Sequence, residues 1–127
     1  MKHFINIRDI STSNLKKIIA DAKNRKSKRK KLNTLDSDKD SPLKGKFLIQ
    51  MFEKSSLRTR ISFYIAIKQL NGGALTLRPD ELHLNTGGES LADTAKIIST
   101  FGNVFMLRTD SEKKLEILKK HMPIPII

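Results

Sequence analysis

The sequence predicts an α/β domain, a three-layer sandwich in which a parallel four-stranded sheet is flanked by helices. Two observations carry that expectation. Short apolar runs at 47–52, 74–77, 104–107 and in the closing PIPII have the length and bulk of buried strands. Between them lie segments of helical periodicity, and strands alternating with helices imply parallel pairing with ligands at the carboxyl ends of the strands.

The elements follow in order. Ser11 or Thr12 can cap a helix whose apolar Leu15, Ile18, Ile19 and Ala22 fall at i, i+3, i+4 and i+7. That helix runs into a basic stretch, and NTLDSDKDSP reads as a surface loop closing at Pro42. Phe47 to Phe52 is the first strand. From Arg58 to Leu70 the pattern turns helical, with Phe63, Ala66, Ile67 and Leu70 on one face, and Asn71-Gly72-Gly73 ends it. Ala74 to Leu77 is the second strand, followed by the polar loop RPDELHLNTGG. Glu89 and Ser90 open a helix with Leu91, Ala95, Ile98 and Phe101 inward. Val104 to Leu107 is the third strand, Ser111 to Lys120 a helix capped by Asp110 or Ser111, and PIPII starts a fourth strand.

A chain of 127 residues suits one domain, taken as 1–127, with a basic and then acidic surface loop at about 23–42. No apolar stretch reaches the ~18 residues that span a bilayer, and MKHFINIRDIS lacks the apolar block of a secretory signal. The absence of cysteine excludes disulfides and thiolate chemistry and favours the cytoplasm. His3, His83 and His121 show no metal-ligand spacing. The net charge of +12 invites a nucleic-acid reading, but Lys23, Arg25, Lys26, Lys28, Arg29, Lys30 and Lys31 supply seven of the charges, and without them it falls to +5. No aromatic residue interleaves the run, so it offers bases nothing to stack on. It reads as a solvated surface at a helix end, followed by Asp36, Asp38 and Asp40.

The most informative stretch is FEKSSLRTR, residues 52–60. It leaves a strand, turns and enters a helix, where free backbone N–H groups attract an anion. Ser55, Ser56 and Thr59 add hydroxyls, Arg58 and Arg60 add guanidinium forks suited to phosphate or carboxylate, and Lys54 adds charge. Alone, these residues fit equally a serine cap with exposed arginines. Arg108, at the end of the apolar run VFML, favours a convergent anion site at neighbouring strand ends. There is no Walker-type loop and no dinucleotide fingerprint.

FEKSSLRTRISF resembles the FEKxSTRTRxSF signature of the aspartate and ornithine carbamoyltransferases, and its FEK start leans toward the ornithine enzymes. PLKGKFLIQMFEK, QLNGGALTL, GESLADTAKIIS, the MLRT strand end and HMPIPII are similar to successive landmarks of the family's carbamoyl-phosphate-binding domain. By that resemblance Ser56, Leu57, Arg58 and Thr59 form the phosphate loop, with Leu57 where the family has threonine. Arg108 is the strand-end arginine, and Arg58 and Arg108 are the catalytic pair. A loop residue reaching a neighbouring subunit's site falls near His83, where most members carry glutamine, in a loop one residue longer than usual.

The resemblance implies transfer of a carbamoyl group from carbamoyl phosphate to the δ-amine of ornithine, with no cofactor and no metal. It also implies a homotrimer, arginine biosynthesis or metabolism, and a cytoplasmic setting. No HPxQ motif and no acceptor-binding domain occur in these 127 residues. The expectation is therefore a binding half, incomplete at its C-terminal end and inactive alone. Two other readings stay open: a non-catalytic anion-binding or regulatory relative, and a basic nucleic-acid-binding protein. No membrane partner is expected.

Overall fold

In the computed structural model, which describes residues 3–82 and 90–127, three strands form one parallel sheet: β1 (Phe47–Phe52), β2 (Gly73–Leu77) and β3 (Val104–Arg108), in the order β2-β1-β3. Four helices accompany them: α1 (Thr12–Lys28), α2 (Leu57–Gln69), α3 (Leu91–Phe101) and α4 (Glu112–His121). Short 3-10 turns stand at Ile7–Asp9 and Pro79–Leu82. The expected three-layer class holds.

The core follows from strand alternation. Ile49 and Met51 of β1 and Phe105 and Leu107 of β3 pack against Ala95 and Ile98 of α3, Leu118 of α4, Met122 and Ile126. On the opposite face Leu48, Gln50 and Met106 are buried, and α2 lies against β2. Gln50 donates through Nε2 to Thr76 Oγ1 at 2.7 Å, its partner in register on β2. A buried amide donor thus finds an acceptor on its own sheet.

The helix ends obey their local chemistry. Ser11, Ser90 and Ser111 cap α1, α3 and α4, each accepting the backbone N–H three residues on. Asn71 takes the left-handed conformation (φ 67°) after α2, and the Gly72 N–H returns to the Ile67 carbonyl at 2.8 Å. The glycine at 73 has a different reason: a Cβ there would lie 2.6 Å from the Phe47 ring.

Five expectations change. PIPII pairs with β3, through Phe105 N–H to Pro125 carbonyl and Ile127 N–H to Phe105 carbonyl, but only Ile126 forms a bridge. Pro123 and Pro125 have no N–H to donate, so among the described residues the sheet has three strands rather than four. Phe101 points outward and is 72% exposed. The inward stripe runs Leu91, Ala95, Ile98 and then Gly102, which takes the next position under Ile49 and leaves Phe101 off the stripe. Ala66 likewise is exposed while Phe63, Ile67 and Leu70 are half-buried, and α1 buries none of its residues.

The basic run, finally, is not uniformly solvated. Its lysines are exposed, but Arg25 contacts Asp21, Asp38 and Asp40 at 2.8–2.9 Å, and Arg29 contacts Asp38 at 2.5 Å. Arg29 also donates to the Asp36 carbonyl, so the acidic loop folds back over the end of α1. That loop is tied to the end of α2 by Asp38 N–H to the Gln69 carbonyl and Gln69 Nε2 to the Thr34 carbonyl. Burial pushes the Asp38 carboxyl up, and the Arg25 and Arg29 guanidiniums outweigh it, leaving it below its usual range. Asp40 is held low chiefly by Arg25.

Candidate functional site

The strand order itself selects a location. From β1 the chain passes through α2 to β2 on one side, then returns through α3 to β3 on the other side of β1. The direction of winding reverses between β1 and β3, and the crevice outside their carboxyl ends is where such sheets bind ligands. Register then decides which residues meet there. Phe52 is the partner of Arg108, so the last residue of β3 stands level with the start of FEKSSLRTR.

Three of the residues singled out in the sequence come together at that crevice. Arg108 Nη1 donates to Ser56 Oγ at 2.6 Å and to Thr59 Oγ1 at 3.0 Å. Ser56 is the N-cap residue of α2, but its side chain caps no backbone N–H there. The serine-cap alternative is therefore not what forms: the hydroxyl serves Arg108, and the first-turn amides of α2 receive nothing from it. Those amides, with the positive end of the helix dipole, face an anion favourably.

Arg58 sits in the first turn of α2 with its side chain exposed, and among the described residues it has no hydrogen-bond or ion-pair partner. Leu57 is also exposed, at 64%, an apolar side chain at the mouth of a polar turn. Arg60 lines a separate apolar hollow with Leu35, Ile61, Tyr64 and Thr76 rather than joining Arg108. Lys54 forms an exposed 2.9 Å pair with Asp110. His83 lies outside the described residues. His3 flanks the sheet, its Nδ1 accepting from the Ile126 N–H at 3.3 Å, and His121 ends α4.

Beneath the crevice lies a group that periodicity and motif spacing did not single out. Glu53 accepts from the Thr109 hydroxyl and from Lys114 Nζ, the latter at 2.6 Å. Its backbone N–H donates to the Arg108 carbonyl at 2.9 Å. In the sequence it stands at the centre of the FEK start, with no role assigned to it; its partners lie more than fifty residues away.

Comparisons with known proteins extend over nearly the whole chain. The model of the aspartate/ornithine carbamoyltransferase carbamoyl-P binding domain matches residues 2–127. An ornithine carbamoyltransferase from Nitrobacter winogradskyi is 40% identical over 126 residues, covering 99% of this chain and 39% of that protein. One from Hydrogenovibrio crunogenus is 39% identical over 127 residues, covering the whole chain and 40% of its own length. Among solved structures, the ornithine carbamoyltransferase from Pyrococcus furiosus superposes with a TM-score of 0.86 at 32% identity, over 99% of this chain and 38% of that one. The catalytic subunit of M. jannaschii aspartate transcarbamoylase gives 0.81 at 31%, over 100% and 40%. The chain thus spans about two fifths of the length of the curated relatives it matches.

Proposed function

The chain belongs to the aspartate/ornithine carbamoyltransferases, as their carbamoyl-P binding domain, and from that premise we propose that it holds carbamoyl phosphate in the crevice between β1 and β3, as the binding half of an ornithine carbamoyltransferase. The observation that carries the reading is the junction of Arg108 with Ser56 and Thr59 at the sheet's switch point. The relatives named for ornithine, at up to 40% identity over nearly the whole chain, support ornithine as the acceptor.

In that role the first-turn amides of α2, the hydroxyls of Ser56 and Thr59 and the guanidinium of Arg58 grip the phosphate dianion. Arg108 spans the phosphate and the carbonyl oxygen. The uncharged δ-amine of ornithine attacks the carbonyl carbon, forming the new C–N bond, and negative charge builds on the carbonyl oxygen. The C–O bond to phosphate then breaks, the nitrogen gives up its proton, and citrulline and phosphate result. Preorganised donors facing the developing oxyanion lower that barrier, and positioning supplies the rest. His83 completes the site of a neighbouring subunit in a homotrimer. The same reading places the protein in arginine metabolism in the cytoplasm. Acceptor recognition is a large share of the differential binding, so these 127 residues bind carbamoyl phosphate but form no citrulline by themselves.

Calorimetric titration with carbamoyl phosphate and with inorganic phosphate tests the reading. Saturable binding of both, weakened tenfold or more in Arg58→Ala and in Arg108→Ala, is expected. Affinity unchanged by both substitutions, or no binding to the unaltered chain, overturns it.

A further inference from the structure

We infer that Glu53 is a positioning residue for Arg108, with Lys114 as the counter-ion that allows a carboxylate to sit beside an anion site. The inference rests on the carbamoyl-phosphate reading above for what Arg108 binds, and on geometry alone for how Arg108 is held.

Arg108 is the last residue of β3, and an arginine there has four side-chain torsions and little to restrain its base. Glu53 supplies the restraint through two ties to consecutive residues. Its N–H donates to the Arg108 carbonyl at 2.9 Å, extending the β1–β3 ladder one residue beyond β1. Its carboxylate accepts from the hydroxyl of Thr109, the next residue. Thr109 Oγ1 in turn accepts from the Ser111 N–H at 3.1 Å, which joins the same knot to the cap of α4. Peptide direction after Arg108 is thereby held on both sides, and with it the direction in which the side chain leaves the strand toward Ser56 and Thr59.

Charge explains the remaining member. A lone carboxylate so near the crevice would repel a phosphate. Lys114 Nζ, 2.6 Å from Glu53 Oε1, offsets that charge. The pair is shielded, with side-chain exposures of 15% for Glu53 and 26% for Lys114, whereas the neighbouring Lys54–Asp110 pair is 60% and 66% exposed and is screened by solvent.

Positioning and mere charge balance make opposite forecasts for Glu53→Gln. If the pair acts only through its field, Glu53→Gln removes a negative charge and tightens phosphate binding, while Lys114→Met weakens it. If it positions Arg108, both weaken it. The experiment titrates the unaltered chain and the variants Glu53→Gln, Lys114→Met, Arg108→Ala and Glu53→Gln/Arg108→Ala with inorganic phosphate. The Arg108 Nε–H resonance is followed in 15N-labelled, phosphate-free samples. Weakening of about three- to tenfold in each of the first two is expected, with no further loss from Glu53→Gln once Arg108 is alanine. The Arg108 resonance is expected to move toward its free-peptide position in Glu53→Gln. Tighter binding in Glu53→Gln, or an unmoved resonance, overturns the inference. A moved resonance in a chain that binds no phosphate leaves positioning standing and defeats the carbamoyl-phosphate reading instead.

Discussion

Arg108 Nη1 donates to Ser56 Oγ at 2.6 Å, joining the end of β3 to the entry of α2 side chain to side chain across 52 residues of sequence. The same nitrogen reaches Thr59 Oγ1 at 3.0 Å. One cation thus organises two of the turn's three hydroxyls, and the consequences can be measured.

Arg108→Lys keeps the charge but shortens the side chain and removes the planar fork. Loss of one good hydrogen bond to a charged group is worth about 1.5–3 kcal/mol. Phosphate affinity, read by calorimetry, is expected to fall tenfold or more, with thermal stability little changed because Arg108 is exposed.

Leu57→Thr tests the departure from the family's STRT turn. The leucine is exposed at the first position of α2, so its removal leaves no core cavity. A threonine hydroxyl there adds a donor to the anion, and phosphate binding is expected to tighten, by up to tenfold if the bond is well aligned. Unchanged affinity would mean that the side chain at 57 does not face the ligand.

The clasp of Arg25 and Arg29 on Asp38 and Asp40 gives a pH dependence whose sign is determined. Both carboxyls lie below their ordinary range in the fold, Asp38 because its arginines outweigh burial and Asp40 because of Arg25. Their contribution is present above the unfolded value of about 3.9 and is lost as pH falls through the depressed folded values. Hydrogen exchange of α1 amides, corrected for intrinsic rates, is expected to rise only below about pH 4. Asp38→Asn should bring that loosening to neutral pH, because it weakens contacts to Arg25 and Arg29 together.

Gly73→Ala places a methyl 2.6 Å from Cδ2 and 2.9 Å from Cε2 of Phe47, the residue paired with it in register. The ring must turn aside, at a cost of about 1–3 kcal/mol in urea denaturation. A compensating Phe47→Leu is expected to recover part of the loss; no recovery would point to backbone strain instead.

Much of this was legible in the residues. Ser11, Ser90 and Ser111 stand where helices begin, Asn71 where one ends, and three of the four apolar runs became strands within a residue of their expected limits, PIPII being the exception. The turn at 55–59 could be recognised as one able to face an anion, because free amides, hydroxyls and guanidiniums lie consecutively along the chain. Phe101 and Ala66 were misjudged for a related reason: periodicity locates a helix but not its rotation against the sheet, which is decided by what lies beneath it.

By itself, then, the sequence determined the elements, their caps and the chemical character of the turn, since each depends on neighbours a few positions away. Tertiary structure alone decided that Arg108 stands level with Phe52 and reaches Ser56, that Arg25 and Arg29 are spent on aspartates, and that Glu53 meets the Arg108 carbonyl and Lys114. These depend on strand register and on contacts between residues nine to more than sixty positions apart, which no local pattern encodes.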